Sequence, residues 1–509
     1  MTRGEALQGS PERMASGAAG FRRALAGVAS CLVLGATLAS PAWGATVGRS
    51  GNRLTYTAAA AEANALAISR SGTDFVFTDA AGVTITPFAP CVGGGPANVA
   101  KCPAAGIVDM EIYLGNQNDS GTVAASVDGP DITSIRLVGD AGSDILNGGD
   151  GIENQLDGDG AAPDGADQLT GGAMDDVLIG YGGADLMTGG AGNDRFFAGA
   201  GDDVANGGPG DDSFESSPTG PDGADTLSGG PQVDSMDLRN RFDNLSVSLD
   251  GVANDGGGCP GPGCEGDNFG ADVENVTGGI GDDVITGNSS QNELRGDAGD
   301  DQVSGGGGYD EVEGDDGADT VRGEGGPDEI GGGFGADRLF GGKGDDYTYS
   351  NFNDGEPDVM SGGPGIDGIG GGGGALFGVR IDLDGKADDG YASKLFSSSD
   401  NVKPDVENLE GSAGPDVLIG SGGPNELDGG DGNDRLVGGG GLDGLLGGRG
   451  SDFLSGGKGR DLLSAGAGAD RIASRDRTPD EVFCGSAFDR VTADRADRTA
   501  ADCDRVRRR

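Results

Sequence analysis

An aspartate returns every ninth residue through much of this 509-residue chain. One run holds Asp167, Asp176, Asp185, Asp194, Asp203 and Asp212. A second holds Asp283, Asn292, Asp301, Asp310, Asp319, Asp328, Asp337 and Asp346. A third holds Asp416, Asn425, Asp434, Asp443, Asp452, Asp461 and Asp470. Shorter pieces keep the phase: Asp225 with Asp234, Asp358 with Asp367, and a degenerate turn with Asp144 and Glu153. Carboxylates repeated at a fixed short period offer rows of hard oxygen ligands, the chemistry of a hard divalent cation.

The neighbours of each aspartate recur too. Gly189-Gly190-Ala191-Gly192-Asn193-Asp194 leads into Arg195-Phe196-Phe197, and Gly429-Gly430-Asp431-Gly432-Asn433-Asp434 into Arg435-Leu436-Val437. Two residues after the aspartate an apolar side chain is the rule, as at Leu178, Phe196, Val303, Val312, Val321, Ile330, Leu339, Leu436, Leu454, Leu463 and Ile472. Each unit thus reads as a glycine-rich curl, an acidic ligand and a short strand with one inward residue. Ala205 and Thr348, poor core residues, read as the fraying ends of runs. Asn292 and Asn425 carry an amide oxygen without charge and read as weak or doubtful sites.

The motif G-G-x-G-x-D-x-U-x resembles the hemolysin-type (RTX) calcium-binding nonapeptides. The resemblance covers roughly residues 139–473, in blocks. It implies an all-β fold, a right-handed parallel β-roll with two nonapeptides per turn. It also implies several Ca²⁺ ions between loops, each bridging residues eighteen apart such as Asp176 and Asp194. The expected calcium ligands are the aspartates of the three runs. About thirteen turns are expected at ~4.8 Å per rung.

Composition supports a metal-held architecture. The formal net charge is -51, glycine contributes 108 residues and aromatics only 5%. Such a chain buries too little apolar surface to offset its chain entropy in a conventional core. Stacked carboxylates ~4 Å apart repel by about 4 kcal/mol at an effective dielectric of 20. The repeats are therefore expected to fold on binding calcium. The acidic surface disfavours nucleic acid and anionic membranes as partners.

The chain contains no histidine. That excludes a Ser-His-Asp or Cys-His centre and the commonest zinc ligand. RTX proteases and lipases carry a separate catalytic domain, and little chain lies outside the repeats here. The expectation is a protein that is not an enzyme, with an extracellular structural or adhesive role. The alternatives are a polysaccharide-active β-helix, in which Tyr181, Tyr309 and Arg338 form no evident group, and a toxin-like RTX protein, for which no membrane-inserting segment is seen. An adhesive role would imply cell-wall or extracellular polysaccharide as a partner.

Residues 1–44 read as a signal peptide, with Arg22 and Arg23 before an apolar run and small residues Ala42 and Gly44 at the cleavage site. Met1 and Met14 are alternative starts within it, and Val28-Ala29-Ser30-Cys31 offers lipidation at Cys31 as a minor alternative. Export predicts a secreted protein with oxidised cysteines. The simplest pairing is local: Cys91 with Cys102, Cys259 with Cys264, Cys484 with Cys503. The expected organisation is a small N-terminal β cap at 45–138, a first block at 139–237, and an insert at 238–271. A second block at 272–370, an insert at 371–404, a third block at 405–473, and a disulfide-closed C-terminal cap with a basic tail at 474–509 follow. Both inserts contain a strand-like stretch and an acidic loop, Asn254-Asp255 and Asp388-Asp389. These loops read as solvated bulges that rejoin the roll at Asp272-Val273-Glu274-Asn275 and Asp405-Val406-Glu407-Asn408.

Overall fold

The computed structural model describes residues 44–508 except 60, 128–131, 160–164, 217–221, 259–263, 350–355, 371–377 and 392–398. The segment read as a signal peptide, Cys31 included, lies outside the described residues. Short strands alternate between two sides of a flattened coil, and every strand of the repeats pairs in parallel with the strand one turn away. Val177–Gly182 lies between Glu153–Asp157 and Arg195–Ala200 on one side. Leu186–Gly190 lies between Gln168–Gly172 and Val204–Asn206 on the other. One sheet runs unbroken along the coil, whereas the opposite side is divided into three sheets. The coil makes about 19 turns, more than the thirteen expected.

The extra turns come from both ends and from the inserts. Asp109–Tyr113 and Ser134–Val138 already stack as rungs ahead of the first repeat. Beyond the third run, Glu481–Phe483 stacks on Leu462–Ser464, and Arg490–Ala493 on Arg471–Ser474. The sequence from Asp480 therefore does not leave the repeat. Asp470 to Asp480 is ten residues, so one inserted residue hides the period.

The core is a stack one residue deep on each side. Leu178, Phe196 and Phe214 line up on one side, Met187, Ala205 and Leu227 on the other, all at most 5% exposed. Ala205 is not at a fraying end. It is buried in mid-stack between Met187 and Leu227, and on the other side the rings of Phe196 and Phe214 stack 4.9 Å apart. Thr348 is likewise buried in mid-stack between Ile330 and Ile369.

Residues 45–103 cover the first turn. The hairpin Ala45–Ser50 with Arg53–Thr57 pairs onto Asp109–Tyr113, and Ala65–Ser71 with Asp74–Asp79 pairs onto Ser120–Val123. Tyr56, Phe75 and Phe77 give this end an ordinary hydrophobic core. Cys91 bonds to Cys102 here, and Cys484 to Cys503 at the far end. Cys264 is also disulfide-bonded, while Cys259 lies outside the described residues. Among the described residues no helix is long and apolar enough to cross a membrane.

Candidate metal sites

Each repeat aspartate is turned inward by the strand that follows it, because its neighbour two residues on must enter the core. The burial is nearly complete: Asp176, Asp194, Asp319 and Asp452 are at most 2% exposed. The buried carboxylates form ladders along the coil. The amide of Asp176 donates to Oδ1 of Asp194 at 2.8 Å, and that of Asp194 to Oδ1 of Asp212 at 2.7 Å. On the opposite side Asp167 donates to Asp185 and Asp185 to Asp203, both at 2.8 Å.

The other two blocks repeat this. Asp283 links to Asp301, Asp319 and Asp337 in turn, and Asn292 to Asp310, Asp328 and Asp346. In the third block Asp416 links to Asp434, Asp452 and Asp470, and Asn425 to Asp443 and Asp461. Every aspartate predicted as a ligand therefore stands in one of these rows.

One carboxylate oxygen is used by the ladder and the other is not. Oδ2 is buried without a hydrogen-bond partner in Asp167, Asp176, Asp185, Asp194, Asp203 and Asp212. The same holds for Asp301, Asp310, Asp319, Asp328 and Asp346, and for Asp434, Asp443, Asp452, Asp461 and Asp470. A second oxygen converges on several of these atoms. A Cβ added to Gly341 would lie 2.5 Å from both Asp346 Oδ2 and the carbonyl oxygen of Gly362 one turn on. On Gly429 it would lie 2.7 Å from Asp434 Oδ2 and 2.9 Å from the carbonyl oxygen of Gly447. The first glycine of the repeat thus lets oxygens from two successive rungs approach the backbone more closely than any side chain would permit. The glycine after it has a positive φ, 120° at Gly190, and a side chain there would strike the carbonyl of Gly172.

Burial, then the neighbouring carboxylates, raise these acids well above the ordinary range. Asp185 is pushed up to about 8, and Asp194, Asp319 and Asp434 to about 7. An all-oxygen, anionic and otherwise unpartnered lining suits a hard cation that accepts irregular coordination, and calcium is such an ion.

Asp283 and Asp416 are served by protein donors at both oxygens. Asp283 accepts from the amides of Leu245 (2.8 Å) and Gly279 (2.7 Å), and Asp416 from those of Val379 (2.6 Å) and Ser412 (2.8 Å). Both of their oxygens already have protein partners. Asn292 and Asn425 are also satisfied, each donating to the carbonyl of Glu274 or Glu407 at 2.9 Å. The blocks therefore open on turns that the protein closes by itself.

The RTX calcium-binding nonapeptide repeat model matches residues 136–152, 164–196, 188–216, 277–312, 313–347, 410–445 and 446–475. The matched segments are hemolysin-type RTX repeats. RTX nonapeptide repeats bind calcium, and the matched blocks contain the three aspartate runs. Comparison with curated proteins finds no match to the chain.

Several ladder residues of this RTX roll escape the nine-residue period. Asp225 and Asp358 continue their rows through Asp267 and Asp400, and Asp234 and Asp367 continue through Glu274 and Glu407. Asp461 and Asp470 continue through Asp480 and Asp489. In the first turns the ladder residue is Asn154, not Glu153, which points outward. The motif Asp-Val-Glu-Asn, seen twice in the sequence, could have signalled Glu274 and Glu407.

The acidic loops of the inserts are not solvated bulges. Asp255 and Asp389 are at most 2% exposed. Asp255 accepts from Ser248 with Oδ1 and from Phe269 with Oδ2, at 2.7 and 3.1 Å. Asp389 accepts from Asp382 at 2.6 Å and from Val402 at 2.9 Å. In each case the two donors belong to different sheets on the divided side of the coil, so one carboxylate bridges the break. The first insert also buries Arg241 (2% exposed), paired with Asp222 at 3.2 Å and with Asp243 and Glu265 at 2.9 Å. The hydrogen bonds from Arg241 hold Asp243 below the usual carboxylate range. Cys484, Asp502 and Cys503 lie together as well, but both sulfurs are used in the disulfide.

Proposed function

We propose that the chain is a secreted, non-enzymatic structural or adhesive protein whose roll is held together by a series of calcium ions. The ligands would be the repeat aspartates whose Oδ2 atoms lack a partner, Asp176 and Asp194 among them. Backbone carbonyls such as those of Gly362 and Gly447 would complete the shells. A bound calcium ion would cancel the charge of adjacent carboxylates and tie one rung to the next. The protein's own part is to aim Oδ2 inward, fix Oδ1 with a neighbouring amide, and keep side chains away from the oxygens that face the first glycine.

The observation that carries this reading is the repeated buried oxygen without a partner. An isolated buried carboxylate is expensive, and natural proteins pair or ligate such groups. The same cost recurs at sixteen predicted aspartates in one fold, a pattern that a shared ligand accounts for. Asp283 and Asp416 are structural members of the ladder in this reading.

Secretion is supported by the N-terminal sequence pattern and by disulfides near both ends of the roll. A non-enzymatic role is supported by the lack of histidine and by the use of most polar buried groups in ladders. The test is calorimetric calcium titration of the purified chain with circular dichroism in parallel. Binding of many ions with a coincident gain of β signal supports the reading. A stoichiometry of zero or one would overturn it.

A further inference from the structure

We propose that the C-terminal end of the roll carries a binding surface for a linear carboxylated glycan, built from arginines stacked rung upon rung. The register places Arg435, Phe453, Arg471, Arg490 and Arg505 in one column on five successive strands of the last sheet. The column faces outward, because the residues beside each member, Leu436, Leu454, Ile472 and Val491, fill the core. The spacing is one rung, ~4.8 Å. All four arginines are exposed.

Two further observations separate this column from an ordinary solvated face. First, among the described residues Arg435, Arg471, Arg490 and Arg505 form no salt bridge, although the chain contains 85 acidic residues against 34 basic ones. Nearby Arg460 and Arg498 do pair, both with Glu481 on the opposite sheet. Like charges are thus stacked in adjacent positions without a counter-charge in a protein that has acid to spare. Second, aromatic rings are interleaved with the guanidinium groups. Arg435 lies 4.8 Å over the ring of Phe453, and Arg490 lies 5.6 Å from that of Phe488, which is 52% exposed. These contacts hold the guanidinium planes in place.

Charge complementarity calls for a polyanion, and arginine forks match carboxylates in pairs. The aromatic rings favour a glycan, whose sugar faces can lie on Phe453 and Phe488. Duplex DNA, with one charge per ~1.7 Å, would meet the acidic remainder of the roll beyond this short column. The proposal adds a partner to the adhesive reading above and does not depend on which calcium sites fill.

The test is binding of hyaluronate, a carboxylated glycan, to the calcium-loaded full chain. Dextran serves as the neutral control and duplex DNA as the competing polyanion. We expect binding that weakens with salt and falls at least tenfold in the triple variant Arg471→Gln, Arg490→Gln, Arg505→Gln. The control Arg322→Gln, elsewhere on the roll, should bind as the parent does. The single Arg490→Gln variant, in the middle of the column, gives the same reading with less disturbance. Circular dichroism of each sample with and without calcium separates a lost surface from a lost roll. No hyaluronate binding by the parent chain, undiminished binding by the variants, or tighter binding of DNA at equal salt would each overturn the proposal.

Discussion

Asp176 gives its amide hydrogen to Oδ1 of Asp194 at 2.8 Å, while its own Oδ2 stays buried and unpartnered. The link joins rungs eighteen residues apart, and it leaves each rung with an unbalanced charge. Ladder and charge together make the roll dependent on what fills the space between rungs.

Chelation should therefore unfold the blocks. With calcium removed at neutral pH, the β signal of residues 165–216, 277–347 and 410–475 should be lost, while the disulfide-linked N-terminal end with Tyr56, Phe75 and Phe77 keeps a small folded core. Hydrogen exchange with and without chelator checks this. Equal protection of the blocks in both states would contradict it.

Protons should compete with calcium. In the metal-free fold Asp185 is raised to about 8 and Asp194 to about 7, by burial first. The unfolded value is near 3.9. The metal-free folded state then holds more protons than the unfolded chain between those values. Its stability is greatest below about pH 4 and falls as pH rises from there to about 8. Calcium affinity should move the opposite way, rising over the same interval as protons are released. Calcium titrations at pH 5.5 and pH 8 should show the weaker binding at the lower pH.

Crowding one pair of oxygens should cost one site. Gly341→Ala places a methyl 2.5 Å from Asp346 Oδ2 and from the carbonyl of Gly362. Asp346→Asn keeps the volume and removes the charge. Both should lower the calcium stoichiometry or weaken the affinity, and the alanine variant should also lose about 1–3 kcal/mol by overpacking. Calorimetry and calcium-loaded melting would distinguish the two effects.

The clamps of the inserts should matter without any metal. Asp255→Ala and Asp389→Ala each leave two amides without acceptors where the divided side of the roll is bridged. Each should cost about 1–3 kcal/mol per orphaned group, with calcium stoichiometry unchanged.

Breaking the buried ion group should cost more. Arg241→Leu removes the cation that faces the buried carboxylate of Glu265, and removal of one partner of a buried pair typically costs about 3–5 kcal/mol. Denaturant melts in saturating calcium would measure it.

Much of the fold was legible because its period is carried by residues whose type is physically required. The glycines, the aspartate and the inward apolar residue of each nonapeptide stand where the structure uses them. What was not legible depends on interruptions of that period. Asp480 and Asp489 were missed because a single inserted residue shifts the phase. Asp267 and Glu274 were missed because the chain runs ahead to Leu245–Ser248 and then returns to stack Asn268–Phe269 on the earlier strand Thr226–Ser228. A local pattern cannot announce such a reversal. Asp389 was read as wet because its sequence neighbours are polar, whereas its burial is imposed by two sheets that meet over it. The register of the arginine column also needs the pairing of distant strands before it becomes visible.

Asp283 and Asp416, fully served by protein amides, stand where the second and third runs begin. A row of ion-dependent links interrupted by two self-sufficient joints would not fail as one body when calcium grows scarce. It would come apart by sections, and each joint would remain as a seed from which its section could regrow once the ion returns.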